Sequence, residues 1–411
     1  MAIQTELYFF SLGRFQFFCP PAWQSNRTNL SQCLMPPKKQ QHFVPKFYLR
    51  QFSTDARRRR INLFNFESLR PILQCGIKNQ SAKDYFHGRE PGLEDTFGDL
   101  ENESARIISK IILSDIAPKL HSEEHVILIV FALTLHARTL WSAEAVDEMF
   151  DKLSKATLMH DSRVAEHLPL VNFSVKNPVS LAVSVVAVYL PLMLDLEYRL
   201  VLNQSTIPFV SSDNPVVLYN QFLEHRKPLG SITGLALKGL QMFVPLSSRH
   251  LLVFYDPAVY RVGGWRPQPI CTRNVVTVNS VNLLQALSAR SNVYFSSCDD
   301  AEYVDQLCQG ADAKRRQSKV QVNEYTKPGS TKEKGSSILH TFNTDIKCDL
   351  RLSFVHEFPD VKDFSFTRHD QLYRDKISVE LLDEFQDRVR KGKYKASEYF
   401  KFLDDFGNAK E

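Results

Sequence analysis

The chain has 411 residues, of which 43% are hydrophobic and 24% are charged, so it can bury a large core and has the composition of a globular protein. Its formal net charge of +5 is weak evidence for an anionic partner, because a small positive excess over a large surface is common. Its seven cysteines are irregularly spaced and include no C-x-x-C pair, which argues against a disulfide framework or a cysteine zinc site and favours a reducing compartment.

Residues 1–37 differ from the rest of the chain and are predicted to be a poorly structured N-terminal extension. Aromatic residues cluster there without the basic start and apolar core of a signal peptide, and Met35 offers a second start of translation. No stretch of the chain approaches the roughly 18–20 apolar residues of a membrane span, so we expect no membrane association.

The first half of the chain is predicted to be rich in helices. Residues 42–53, HFVPKFYLRQFS, are predicted to be extended and packed on the domain, and apolar alternation predicts a strand over 61–66. The helices predicted from apolar spacing are 93–113, 122–158 with a break near Trp141, and 180–202. The β-branched residues of the last of these helices also suit a strand.

The second half of the chain is predicted to contain mostly strands. Segment 208–219, PFVSSDNPVVLY, places the turn SDNP between two strands, and 241–255 contains two strands joined by a Ser-Ser turn. A short strand over 275–278 is followed by a helix over 279–289 that Asn279 or Ser280 caps.

Toward its end the chain becomes polar and then regains a regular pattern. Residues 310–337 are basic and short of apolar groups, which predicts a flexible linker. Apolar and polar residues alternate over 346–354, which predicts a half-buried strand, and an amphipathic helix is predicted over 377–389.

These elements predict an α+β fold in a single large domain, with a helix-rich N-terminal half and a mostly antiparallel β region in the C-terminal half. The predicted domain covers residues 38–309, and residues 338–411 complete or flank it after the linker at 310–337.

Several segments occur together in one order: QHFVPKFYLRQFS, ALTLHARTL, FVSSDNPVV, FVPLSSRHLLVF and VNSVNLLQALSARSNVYFSS. Over roughly residues 40–300 the chain resembles the DUF4238 family, a domain of unknown function found mainly in bacteria. The resemblance implies a cytoplasmic protein and implies no reaction. It departs from the family pattern at HARTLWS, where a proline is expected soon after Arg138 and Thr139, so the end of that helix is left open.

The opening motif carries three candidate site residues. His42 could act as a general base or metal ligand, while Tyr48 and Arg50 could bind a phosphate-bearing substrate. The alternative is an anchoring segment whose aromatic residues fill the core.

Two carboxylates are candidate metal ligands. Glu94 and Glu101 are two helical turns apart and therefore lie on nearly one face, where they could hold Mg²⁺ or Mn²⁺. The alternative is that both are solvated on a helix surface.

Arg138 follows a strongly apolar run, so it is predicted to be buried beside a carboxylate, which would be Glu94, Glu101 or Asp213. It could stabilise negative charge in a reaction or form a structural ion pair.

The SDNP turn supplies Asp213 as an acid, base or ligand, Asn214 as a catalytic hydrogen-bond donor and Ser212 as a substrate contact. The alternative is an Asx turn in which these side chains cap their own backbone.

These residues suggest a metal-assisted hydrolase that acts on a phosphate-containing substrate in the manner of a nuclease. The alternative is a non-catalytic effector module that binds nucleic acid or protein through the basic segments 38–60 and 314–334. A third interpretation gives the polar motifs a purely structural role. The chain has no G-x-x-x-x-G-K-[ST], G-x-G-x-x-G, H-E-x-x-H or G-x-S-x-G, which argues against P-loop, Rossmann, zincin and common α/β-hydrolase enzymes.

Overall fold

The computed structural model describes residues 39–88, 93–159, 161–264, 268–326, 337–395 and 398–408. The helices of these residues are α1 (Lys46–Leu49), α2 (Leu93–Ser114), α3 (Glu123–Ala137), α4 (Leu140–Leu158), α5 (Pro178–Tyr189), α6 (Gln221–Glu224), α7 (Val275–Ser288), α8 (Ala301–Asp312), α9 (Lys376–Arg390) and α10 (Tyr399–Asn408). The strands are β1 (Gln40–His42), β2 (Arg60–Asn65), β3 (Arg70–Gly76), β4 (Ala82–Asp84), β5 (Glu197–Asn203), β6 (Ser211–Ser212), β7 (Val217–Tyr219), β8 (Gln241–Pro245), β9 (His250–Tyr255), β10 (Tyr260–Val262), β11 (Ile270–Thr272), β12 (Asn292–Phe295), β13 (Val320–Thr326), β14 (Ser337–Asn343) and β15 (Val355–Glu357).

The centre of the molecule is a five-stranded sheet in the order β11-β5-β9-β8-β7. Its pairs are antiparallel except for β11 and β5, which run parallel. A four-stranded sheet in the order β3-β2-β12-β6 lies beside it. The α+β class predicted from the sequence is confirmed, and the described residues are consistent with one large domain.

The central sheet is buried on both faces because its strands alternate between two cores. Met242 and Phe254 belong to the first core, which helices α2, α3 and α5 supply with apolar side chains. Phe243 and Val253 belong to the second core, which α7, α8 and the segment after α8 complete. The sequences of these strands are therefore mostly continuous apolar runs, as in β9, whose six residues are all buried.

Several predicted elements are confirmed: β2, α2, the break between α3 and α4, the SDNP turn between β6 and β7, the β8–β9 hairpin and α9. The break falls at Arg138 and Thr139, where the hydroxyl of Thr139 accepts a hydrogen bond from the Ser142 N–H and begins α4.

Two element predictions in the first half are wrong. Residues 42–53 are not extended, because Pro45 precedes the short helix α1 and a 3-10 turn that bury Tyr48 and Phe52. The predicted helix over 180–202 ends at Tyr189, since Pro191 follows it in a 3-10 turn, and the chain then forms β5.

Three predictions in the second half are also wrong. Residues 275–278 begin α7, whose first N–H groups Asn274 caps, instead of forming a strand. Part of the predicted linker forms β13, which pairs with β14. Residues 346–354 form no strand, although Leu350 and Leu352 are buried in the second core as their pattern indicated.

Strand β3 is one of the two outer strands of the four-stranded sheet. Leu69, Ile72 and Leu73 at this edge are 48%, 38% and 44% exposed. No single helix among the described residues is long and apolar enough to cross a membrane; α3 and α4 meet that criterion only as a pair, bent by 58° at their break.

Candidate functional site

Arg138 lies directly after α3 and is 3% exposed. Its Nη1 donates to Glu101 Oε1 over 2.7 Å, its Nη2 donates to the backbone carbonyl of His42, and its guanidinium carbon lies 4.2 Å from the centre of the Phe97 ring. The buried charge therefore has a carboxylate, a carbonyl and an aromatic face as neighbours, which together offset its loss of water. Of the three partners expected from the sequence, the structure provides Glu101.

The opening motif is anchored to the core at two points. His42 Nδ1 lies 3.0 Å from the carbonyl oxygen of Gln80 and so carries the proton that it donates. The buried hydroxyl of Tyr48 donates to the carbonyl of Pro245 and lies 3.1 Å from Ser211 Oγ, and burial raises the pKa of Tyr48 well above its usual value. The side chain of Arg50 is exposed.

Asp213 is 2% exposed, and its carboxylate accepts three backbone hydrogen bonds. Its Oδ1 accepts from the N–H of Arg290 over 2.7 Å, and its Oδ2 accepts from Ser291 over 2.7 Å and from Asn292 over 3.1 Å. Burial raises the pKa of Asp213 to about 6, although these donors and Arg315 act against the increase. The carboxylate thus fixes the connection between α7 and β12.

The neighbours of Asp213 in the turn are also paired within the protein. Asn214 Nδ2 donates to the hydroxyl of Ser288 over 2.9 Å, and its Oδ1 accepts from Thr139 Oγ1 over 3.2 Å. Ser212 Oγ donates to Gln285 Oε1 over 3.0 Å. Each contact joins the SDNP turn to another element, so the turn holds α7, β12 and the start of α4 together.

Apart from Arg50, whose side chain is exposed, and Glu94, the candidate residues lie in two groups that adjoin through Thr139, which follows Arg138 and donates to Asn214. The structure brings His42, Glu101 and Arg138 together on one side of this link. The side chain of Glu94 is outside the described residues. Within the part of the chain that the structure describes, no group of three or more His, Cys, Asp and Glu side chains could hold a metal ion.

A pocket that sequence reasoning missed lies where the segment after α8 meets the β13–β14 hairpin. It has a volume of about 290 Å³ and is lined by Gly230, Leu287, Lys314, Arg316, Gln321, Phe342, Asn343, Thr344, Asp345, Ile346 and Lys347. In the sequence, Lys314 and Arg316 stood out only as part of the basic segment 314–334. That segment could not indicate a pocket, because most of the other lining residues come from distant parts of the chain.

Arg316 is held rigidly in this pocket. Its guanidinium carbon lies 4.0 Å from the centre of the Trp141 ring, and its Nη1 donates to the carbonyl of Thr344 over 2.8 Å. The Nε of Arg316 and the Oγ1 of Thr344 are both buried without a hydrogen-bond partner among the described residues. Burial lowers the pKa of Arg316 to about 10, so its guanidinium is charged at neutral pH.

The carboxylate of this pocket is already engaged by the protein. Asp345 accepts from Ser231 Oγ over 2.6 Å, from the Ile232 N–H over 2.9 Å and from Thr233 Oγ1 over 2.8 Å. Asp345 keeps its negative charge, so the pocket sets three basic side chains, Lys314, Arg316 and Lys347, against one carboxylate.

The comparisons with known proteins agree with the sequence resemblance. The sequence model described as "Protein of unknown function (DUF4238)" matches residues 40–299, which is more than half of the chain. No curated protein and no solved structure matches the chain. The match covers the opening motif, Arg138, the SDNP turn and the β8–β9 hairpin and stops just before α8. The chain therefore belongs to the DUF4238 family.

Proposed function

We propose that the protein binds a small phosphate-bearing ligand in the pocket around Arg316. The observation that supports this proposal is the convergence of Lys314, Arg316 and Lys347 on the lining of one cavity. Guanidinium and ammonium groups together suit a phosphate, which presents several oxygens.

The size of the cavity favours a small ligand. Its volume of about 290 Å³ is at the lower limit of the ~300–1,000 Å³ that typical small-molecule sites enclose. A mononucleotide or a sugar phosphate fits such a volume better than a nucleic-acid strand, which needs an extended groove. The stacking of Arg316 on Trp141 fixes the orientation of its planar donors before a ligand arrives.

Binding is preferred here over the metal-assisted hydrolysis that the sequence suggested. Glu101 is committed to Arg138, and Asp213 is committed to three backbone N–H groups. Asp213 could bind a divalent cation only by giving up buried hydrogen bonds, and Glu101 would have to share its carboxylate with Arg138. The Mg²⁺ or Mn²⁺ site and the nuclease-like reaction therefore stay predictions from the sequence.

Isothermal titration calorimetry with AMP and with inorganic pyrophosphate tests the proposal. Lys314→Gln, on an exposed side chain, and Arg316→Gln should each weaken binding by at least tenfold, because hydrogen bonds to charged groups contribute about 1.5–3 kcal/mol. Arg163→Gln is the matched control, since Arg163 is exposed and its ion pair among the described residues is with the nearby Asp161.

Two results would contradict the proposal. One is AMP and pyrophosphate binding that Lys314→Gln leaves unchanged, and the other is no measurable binding of either compound by the folded protein. Salt-sensitive binding of an oligonucleotide that requires the exposed run Arg57–Arg60, and that pyrophosphate does not displace, would favour the nucleic-acid-binding alternative.

A further inference from the structure

A second group of side chains, far from the pocket in sequence, lies at the turn of the β8–β9 hairpin. The N–H groups of Leu246 and Ser247 both donate to the carbonyl of His250, over 2.7 and 3.2 Å, which closes the turn. This closure places the side chains of Ser247 and His250 on the same side of the hairpin. Asp115, the residue after α2, faces them from another element.

The three side chains form a continuous hydrogen-bonded chain. Ser247 Oγ lies 2.7 Å from His250 Nδ1, and His250 Nε2 lies 2.7 Å from Asp115 Oδ1. An ionised carboxylate only accepts, so Nε2 must carry the imidazole proton and Nδ1 must accept. The hydroxyl of Ser247 therefore donates its proton to Nδ1, which is the direction that activation of a nucleophile requires.

The conformation of Asp115 supports a positioned carboxylate. Its φ of 55° lies in the left-handed region, which costs energy for most residues and is tolerated best by Gly, Asn and Asp. Asp115 occupies this conformation where α2 ends, and its side chain is about half exposed, at 56%. His250 by contrast is 6% exposed, so the imidazole is held inside while the carboxylate faces solvent.

A polar groove borders the same turn. It has a volume of about 670 Å³, and its lining includes Ser248 and Arg249 from the turn, with Asn203, Arg273 and Asp300 from other segments. Two guanidinium groups against one carboxylate favour a substrate that carries negative charge. Ser247 itself is 8% exposed, so its hydroxyl is mostly shielded from bulk water.

We propose that Ser247, His250 and Asp115 form a Ser–His–Asp nucleophilic site that hydrolyses an ester bearing a negatively charged group. Ser247 Oγ attacks the acyl carbon while its proton moves to His250 Nδ1, and Asp115 stabilises the imidazolium. The bond from the acyl carbon to the leaving alkoxide breaks, and His250 returns the proton to that oxygen. Water then gives a proton to His250, attacks the acyl-serine, and releases the acid as Ser247 Oγ recovers the proton.

This inference goes beyond the proposed binding function and uses different residues. The backbone N–H of Arg249 also donates to Ser247 Oγ over 3.2 Å, so one lone pair of the oxygen is engaged while its proton points to His250. A purely structural account would have the same side chains fasten α2 to the hairpin. The two accounts differ in whether Ser247 reacts.

Labelling with an alkyl fluorophosphonate tests the proposal on the full-length protein. Attack by Ser247 forms an oxygen–phosphorus bond and expels fluoride, and peptide mass spectrometry locates the adduct. We expect the adduct on Ser247, its loss in Ser247→Ala, and a labelling rate at least a hundredfold lower in His250→Gln, since general-base catalysis contributes about 10²–10⁴-fold. Ser68→Ala, at an exposed serine between β2 and β3, is the control and should label at the wild-type rate.

Asp115→Asn provides a variant that keeps the fold, because Asn also tolerates the left-handed conformation. Its amide favours the wrong imidazole tautomer, so labelling should slow by at least a hundredfold while the melting temperature changes little. Absence of an adduct on Ser247 in the folded wild-type protein would overturn the proposal. Labelling at the wild-type rate in Asp115→Asn, with a lower melting temperature, would also overturn it and assign the three residues a structural role.

Discussion

The buried polar residues of this protein act mainly through backbone groups. Asp213 accepts from three consecutive N–H groups, and Arg138 donates to the carbonyl of His42 as well as to Glu101. Such contacts fix where one segment crosses another, although Arg138 Nε is buried without a hydrogen-bond partner among the described residues. At the scale of single residues, these contacts explain how the polar side chains of the motifs are buried, and the catalytic roles suggested for them stay predictions.

Asp213→Asn should lower the free energy of unfolding by about 2–4 kcal/mol. The new amide has one oxygen and one NH₂ group where the backbone presents only donors, so at least one buried N–H loses its acceptor. Urea denaturation followed by tryptophan fluorescence measures the difference. Asp360→Asn, at an exposed residue, should change stability by no more than about 0.5 kcal/mol.

If Asp213→Asn were as stable as the wild type, the carboxylate would not be the anchor that its three short contacts indicate. A stable variant with impaired ligand binding or labelling would instead support the catalytic role that the sequence suggested for Asp213.

At the scale of elements, periodic segments could be predicted from the sequence and context-dependent ones could not. Helices α2 and α9 carry apolar residues at helical spacing and were predicted nearly to their ends. The start of α7 is rich in valine, so local propensity favoured a strand, but its cap at Asn274 and the burial of one face favour the helix. Alternation over 346–354 reflects burial against the second core without strand pairing.

Glu148 is the contact that joins α4 to the β13–β14 hairpin. Its carboxylate accepts from Lys152 Nζ over 2.8 Å, from Ser318 Oγ over 2.6 Å and from the Lys319 N–H over 3.1 Å. Partial burial tends to raise the pKa of Glu148, but these donors outweigh it and lower the pKa to about 2. The hairpin carries part of the lining of the Arg316 pocket, so Glu148 connects stability to the proposed site.

Glu148→Gln should destabilise the protein by about 1.5–3 kcal/mol at pH 7, as expected for losing charge-assisted hydrogen bonds. Because the folded-state pKa lies below the usual 4.5, this contribution is fully present above pH 4.5 and is lost as the pH falls toward 2. Urea denaturation of the wild type and the variant at pH 7 and at pH 3 measures their free energies of unfolding. The difference between the two proteins should be smaller at pH 3. A difference that does not change with pH would refute the stabilising role of the ionised Glu148 carboxylate.

At the scale of the whole molecule, the fold extends beyond the residues that define the family. The second core is closed by Val304 and Leu307 of α8 and by Ile346, Leu352 and Leu372, all of which follow residue 299. The alternation over 346–354 indicated the burial of Ile346 and Leu352, but it could not indicate which core they join, and α8 was not predicted. The Arg316 pocket was hidden for the same reason, since its lining residues span positions 230 to 347 and meet only in the folded chain.

A chain truncated after Asp299 should therefore fail to unfold cooperatively and should bind a hydrophobic dye, because one side of the second core is uncovered. A chain truncated after Asp375 is the control. It loses α9 and α10, whose apolar residues form a separate small cluster with Leu192, and it keeps both main cores. Circular dichroism during heating shows whether each of the two truncated chains unfolds cooperatively. Cooperative melting of the shorter chain would show that residues 40–299 are self-sufficient.

The open edge of the four-stranded sheet bears on how the protein behaves when it is concentrated. The unpaired edge of β3 is a template on which another copy could add its own strand. The exposed side chains of Ile72 and Leu73 would add apolar contacts to such pairing. Three residues of β3 oppose such pairing. Pro71 has no N–H that could donate to an added strand, and Gln74 has a left-handed backbone conformation, with φ 57°, that interrupts regular strand geometry. Arg70 places a positive charge at the start of the strand. Together these features of β3 hinder the addition of a second copy at this edge, a protection against aggregation that requires no partner.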